Sequence, residues 1–268
     1  MAGLFTSLRD DASLWMDHLS WLDYERRVQA PDATVLLPVG ALEQHGPHLP
    51  LGTDAMLATA VAADVARRTG ALVAPPISYG YKSQIKCGGG QHFCGTTSVD
   101  AATLAGQVRD AVREFARHGL RRLAIVNGHY ENQWFLIEGI DLGLRDVRLL
   151  HPQHDLQVMR LEYWDFLTPQ TLAAVFPQGF PGFALEHAAV IETSLMLHYH
   201  PDAVRLDLIP DDPPADFPPY DMFPPRPAWV PPSGVLSSAR AASAEKGRLL
   251  AEEVAQRLAE AVRSGFAR

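Results

Sequence analysis

The chain has 268 residues, of which 47% are apolar and 20% charged, and its formal net charge is −8. That length and apolar share are enough for one sizeable buried core, which excludes a disordered or fibrous chain and reads as a single domain over 1–268. The acidic balance, the absence of a basic run and the absence of an apolar run of about 20 residues argue against nucleic acid and membrane as partners.

Residues 1–19 read as an N-terminal arm. Asp10 and Asp11 fall where a secretory leader needs apolar residues, so a cytoplasmic protein is expected. Ser20 to Gln29 reads as a helix with Ser20 as N-cap and Trp21, Tyr24 and Val28 on one face. Thr34-Val35-Leu36-Leu37-Pro38-Val39 is an apolar run of buried-strand type. The loop Gly40–Asp54 follows and carries Glu43, His45, His48 and Asp54. Glu43 and His45 flank one residue, a spacing that turns both side chains to the same face of extended backbone. Taken singly, Asp54 reads as a helix N-cap and His45 as a surface histidine. Taken together, carboxylate oxygens and imidazole nitrogen suit Zn²⁺ or Mn²⁺.

A helix over 55–69 is closed by Gly70, and a strand over 71–77 is interrupted by Pro75-Pro76, which cannot donate ladder bonds. Residues 80–99 form a long glycine-rich loop with Cys87 and Cys94 as reduced thiols, and His92 reads as a ligand or as a histidine bonded within the loop. An amphipathic helix is predicted over 100–118, with Leu104, Val108, Val112 and Phe115 on its apolar face. A second buried strand, 122–126, ends in Asn127-Gly128-His129-Tyr130-Glu131-Asn132, and a helix follows over 131–145. Two such loops together supply two histidines and three carboxylates, the inventory of a two-metal site. Leu156 to Leu161 is a further strand with Tyr163-Trp164-Asp165 beyond its end. His187 sits just before a helix running to about Tyr199, where the positive helix end lowers an imidazole pKa. Residues 210–232 are a proline-rich segment with Phe217, Tyr220, Phe223 and Trp229, read as extended and packed, and 238–263 is a long C-terminal helix. Strands alternating with helices predict an α/β fold with a mostly parallel central sheet covered by helices on both faces, a three-layer α/β/α arrangement.

Val39-Gly40-Ala41-Leu42-Glu43-Gln44-His45-Gly46 with Thr53-Asp54, followed by Asn127-Gly128-His129-Tyr130-Glu131-Asn132, resembles the creatininase (creatinine amidohydrolase) family. The resemblance extends to Tyr79–Gln84, Gly88–Gly90, Gly95–Ser98, Tyr163–Phe166, Glu186-His187, Glu192–Leu197 and Phe217–Asp221, and covers roughly residues 18–265. It implies a homo-hexamer of creatininase-like α/β subunits, each with two divalent cations, Zn²⁺ or Mn²⁺. Asp54 would bridge them, Glu43 and His129 completing one site and His45 and Glu131 the other. A metal-bridged hydroxide would attack the carbonyl of a cyclic amide, with His187 as general acid/base, and creatinine would open to creatine. Glu131 counts among both the ligands and the catalytic residues, while Glu192 reads as a structural partner. Tyr130 and Trp164 match pocket-lining positions.

The chain departs from the family pattern at three positions associated with substrate contact. Cys87 replaces a serine before the triple glycine, and Phe183-Ala184 replaces Trp-Asp. A donor, an acceptor and a charge are lost, so another cyclic guanidine, a lactam or a hydantoin-like ring is an alternative substrate. A member that processes a peptide or formamide is a further one.

Overall fold

A computed structural model describes residues 12–267. Residues 1–11 of the expected arm lie outside the described part. Four strands, β1 (Thr34–Val39), β2 (Leu72–Val73), β3 (Arg122–Asn127) and β4 (Gln157–Glu162), form one all-parallel sheet in the order β2-β1-β3-β4. Each step between successive strands crosses over through a helix: α2 (Thr53–Thr69), α3 (Ala101–Arg117) and α4 (Gln133–Leu150). Before them comes α1 (Trp21–Val28), and after β4 come α5 (Pro169–Val175), α6 (Val190–Tyr199) and α7 (Ala244–Gly265).

The central strands β1 and β3 are apolar on both sides because both faces are covered. On one face Leu36, Ala124 and Val126 pack with α2, α6 and α7. On the other, Val35, Leu37, Leu123 and Ile125 pack with α1, α3 and α4. The predicted three-layer α/β/α architecture is the one observed. The chain leaves β1 toward β2 on one side and later inserts β3 on the other. The β1/β3 junction is therefore the point where the sheet order reverses, and crevices at such points bind ligands.

Several boundaries differ from expectation for physical reasons. Pro75-Pro76 leaves β2 two residues long, with Ile77 touching Val39 in an isolated bridge. Asp54 lies inside the first turn of α2, not in the loop before it. Residues 130–132 form a 3-10 turn, and α4 begins only at Gln133. The C-terminal helix starts late because Ser243 caps it, accepting from the Lys246 N–H. Residues 12–18 are docked rather than loose, since Trp15 is buried and bridges Val73 at the sheet edge. The proline-rich segment leaves Tyr220 and Phe223 exposed, yet it closes over the glycine-rich loop where Lys86 Nζ donates to Pro218 O at 3.1 Å.

Candidate metal centre and cavity

The site is built on the ends of β1 and β3. Val39 pairs with Asn127, so Gly40 and Gly128 follow side by side. A Cβ on Gly40 would fall 2.3 Å from Ala55 N, and one on Gly128 would fall 2.5 Å from Asp54 O. Only glycine lets the first turn of α2 press this close to the strand ends. That contact carries Asp54 between the two loops. Asn132 holds the loops together by donating to Gly40 O at 3.0 Å and accepting from Tyr81 N at 2.8 Å. Asn127 donates to His129 O at 2.8 Å.

Two acid and imidazole triads meet at Asp54, with the ligand atoms of each within 4.8 Å of one another: Glu43, Asp54 and His129, and His45, Asp54 and Glu192. His129 Nδ1 is 3.0 Å from Asp54 Oδ2 and 3.2 Å from Glu43 Oε2. Its Nε2 is 3.0 Å from Tyr81 O. That carbonyl can only accept, so Nε2 carries the hydrogen and Nδ1 keeps its lone pair for a cation. His45 is arranged the opposite way round. Its Nδ1 donates to Glu43 O at 3.1 Å, and Nε2 faces Asp54 Oδ1 at 3.0 Å and Glu192 Oε2 at 3.6 Å. Glu43 Oε1, His45 Nε2 and Asp54 Oδ2 are buried without a hydrogen-bond partner. Buried polar atoms left open in this way are costly unless something binds them. The two triads, with their hard oxygen and imidazole donors, fit divalent cations.

Electrostatics agrees. Burial opposes the charge on Asp54, but His45 and His129 outweigh it and hold its carboxyl well below the usual range. Burial also opposes protonation of His45, yet Asp54 and Glu192 lift its pKa well above the ordinary value. His129 is lifted against burial by Glu131 and Glu43. The anions thus gather positive charge, as protons or as cations.

Glu131 is not beside His45. Its Oε1 accepts from Gln84 N at 2.7 Å and its Oε2 lies 3.4 Å from His129 Nε2, on the far edge of that ring. The carboxylate that faces His45 beside Asp54 is that of Glu192. The 3-10 turn over 130–132 directs Glu131 toward the glycine-rich loop, while α6 delivers Glu192 from across the site. Burial pushes the Glu131 carboxyl up to about 7. Glu192, expected as a structural partner, accepts from Ala188 N and also faces His45. It is an acid in the first turn of a helix whose other residues there are buried, where an unpaired charge is not tolerated.

A cavity of about 160 Å³ opens onto these residues. His187, Glu131, Tyr130, Trp164, Cys87, Phe183 and Ala184 all line it, so the expected catalytic and substrate-facing positions come together. Tyr130 and Trp164 stand 6.3 Å apart, centroid to centroid, on one side. Burial pushes the Cys87 thiol up to about 12, so it is a neutral donor. His187 is pushed down to about 4, chiefly by burial and then by His45 rather than by a helix end, since α6 begins three residues later. His92 is exposed, stacks on Phe93 and is not part of the site.

A sequence profile described as creatininase, creatinine amidohydrolase, matches residues 17–262. The creatinine amidohydrolase of Pseudomonas putida is 54% identical over 255 residues, covering 95% of this chain and 98% of its own. A solved manganese creatininase is 53% identical, with a TM-score of 0.93 over 96% of this chain and 100% of its own. A solved mutant creatininase of Zn-Zn type is also 53% identical, with a TM-score of 0.93 over 96% of this chain and 99% of its own.

Proposed function

Because the chain belongs to the creatininase family, whose model match spans most of its length, we propose that it is a two-metal amidohydrolase that adds water across a cyclic amide and opens creatinine to creatine. The observation that carries this reading is the gathering of Glu43, His45, Asp54, His129 and Glu192 into two acid and imidazole triads that meet at Asp54, beside a cavity that Glu43, Asp54, His129 and Glu192 line together with Tyr130, Trp164 and His187. Glu43, Asp54 and His129 would hold one divalent cation, and His45, Asp54 and Glu192 the other. Carboxylate and imidazole donors suit Zn²⁺ and Mn²⁺, and the zinc and manganese forms of the solved relatives support both. When bound, such ions make water nucleophilic near neutral pH and polarise a carbonyl.

The protein's own side chains do the rest. Tyr130 and Trp164 flank the ring and hold its carbonyl toward the acid cluster. His187 takes a proton from the attacking water and returns it to the ring nitrogen as the C–N bond breaks. Glu131, raised toward neutrality, is the second group able to hold a proton at the cavity wall. Burial of the cluster excludes bulk water and strengthens each of these interactions. We further infer a cytoplasmic homo-hexamer. No helix among the described residues is long and apolar enough to cross a membrane, and Trp134, Ile137, Leu149 and Leu150 leave apolar surface on α4 for subunit contacts.

The neutral wall of Cys87, Phe183 and Ala184 favours a second reading, the same ring opening on another cyclic guanidine, a lactam or a hydantoin-like ring. The deciding experiment is creatine formation from creatinine by protein loaded with Mn²⁺ and Zn²⁺, with Glu131→Gln as blank. Turnover on the order of 1 per second or faster supports creatinine as substrate. No turnover with both cations bound transfers the chemistry to the other rings.

A further inference from the structure

Gln44 lies between two proposed ligands, is buried, and has neither a ligand nor a substrate role. Its side-chain Nε2 is 3.0 Å from Gly88 O and 2.9 Å from Gly234 O, and its Oε1 accepts from Gly46 N at 2.9 Å. The reverse amide orientation would set Oε1 against two carbonyl oxygens, so this one is fixed and both amide hydrogens are committed. The seat is built for this group, since a Cβ on Gly234 would fall 2.1 Å from Gln44 Oε1.

His187 Nε2 lies 2.9 Å from that amide nitrogen and 2.8 Å from the main-chain oxygen of Gln44. The amide has no hydrogen left to donate to the ring. A lone pair on His187 Nε2 would also face the carbonyl lone pairs. The donor count closes only if Nε2 carries a hydrogen and donates it to Gln44 O. We infer that Gln44 is a positioning residue that fixes His187 as its Nε2–H tautomer, leaving Nδ1 as the atom that takes and returns the proton. Nδ1 is on the cluster side of the ring, 3.9 Å from Glu43 Oε2. The main-chain oxygen sets the tautomer. The side chain, tied to the Gly88 and Gly234 carbonyls, sets where the ring stands.

The catalytic half of this inference rests on His187 as the proton carrier, whereas the tautomer does not depend on which ring is hydrolysed. Nitrogen-15 spectra of histidine-labelled, Zn²⁺-loaded protein at neutral pH test it, with the His187 signals assigned by their loss in His187→Gln. A protonated Nε2 and an unprotonated Nδ1 are expected, and a protonated Nδ1 overturns the assignment whatever the substrate proves to be. For the positioning role, Gln44→Met keeps the volume and the main-chain oxygen. Its kcat should fall on the order of 10- to 100-fold while KM and metal content stay within about twofold. Unchanged kcat, or metal lost in proportion to activity, overturns that role.

Discussion

Gly88→Ala is the sharpest perturbation of the proposed centre. Gly88 has no left-handed backbone to protect, so the substitution adds only one methyl. That methyl would fall 1.7 Å from Glu43 Oε1, 2.7 Å from Glu43 Cδ and 2.6 Å from Ser83 Oγ. Contacts below 3.0 Å are not tolerated, so the carboxylate and the glycine-rich loop must separate by more than about 1 Å. Glu43 is 2% exposed, so the movement shifts its carboxylate relative to Asp54 and His129. A displacement of that size costs about 100-fold in a preorganised site. The expected result is loss of one of two bound cations by elemental analysis, a fall in turnover of about 100-fold, and near-normal secondary structure. Gly106→Ala is the control. Nothing lies within 4 Å of its added methyl, and in a helix it should stabilise by about 0.5–1 kcal/mol without touching the centre. Full metal content and turnover within twofold in Gly88→Ala would refute the placement of Glu43 as a ligand.

Glu192→Gln keeps an oxygen to accept from Ala188 N but removes the charge; metal content should drop from two ions to one, with Glu43, Asp54 and His129 keeping theirs, as read by competition with a chromophoric chelator. His45 and His129 are raised by their anionic neighbours despite burial, so cation binding at neutral pH must displace protons, and calorimetry in two buffers of different ionisation enthalpy should show release that grows as pH is lowered. Burial, and then the charge of His45, push His48 down to about 4. The unfolded chain, with an ordinary imidazole near 6.5, then binds a proton the native state refuses. That contribution to stability is complete above about pH 6.5 and is lost toward pH 4, as urea unfolding of the metal-free protein should show; His187, also pushed down to about 4, adds to the same limb, so His48→Gln should shrink it by up to about 3 kcal/mol without abolishing it.

The sheet and most of the site were legible because their signals are local. β1 and β3 announce themselves as apolar runs, and each ends in a loop whose polar residues have no reason to follow a buried strand unless they meet something. β2 ends before Pro75-Pro76 and lies at the sheet edge, as prolines without ladder donors require. The docking of Trp15, within the expected N-terminal arm, was not legible because nothing near it in sequence says that the sheet edge has room for an indole. The positions of Glu131 and Glu192 around the two imidazoles were hidden for a related reason. The resemblance put Glu131 with His45, but spacing alone does not tell which imidazole, or which side of it, a carboxylate reaches. The 3-10 turn settles that, and it is decided by packing against the glycine-rich loop.

The case of Glu192 shows what joins the two halves of the molecule. It arrives from α6, and what orients α6 toward the cluster is a second buried histidine of the first loop. His48 Nε2 is 3.0 Å from Thr193 Oγ1, and the main-chain oxygen of His48 accepts from Arg205 N at 2.9 Å. Between them runs Ala188, at a left-handed φ of 55°, whose N–H donates to Glu192 Oε2 at 2.6 Å. A non-glycine residue in that conformation costs roughly 1–2 kcal/mol. Here the strain lies between His187 and Glu192, and the same turn sets both. One bend in the chain therefore places a proposed ligand and the proposed proton carrier together, while Gly40 and Gly128 bring Asp54 to them from the opposite side.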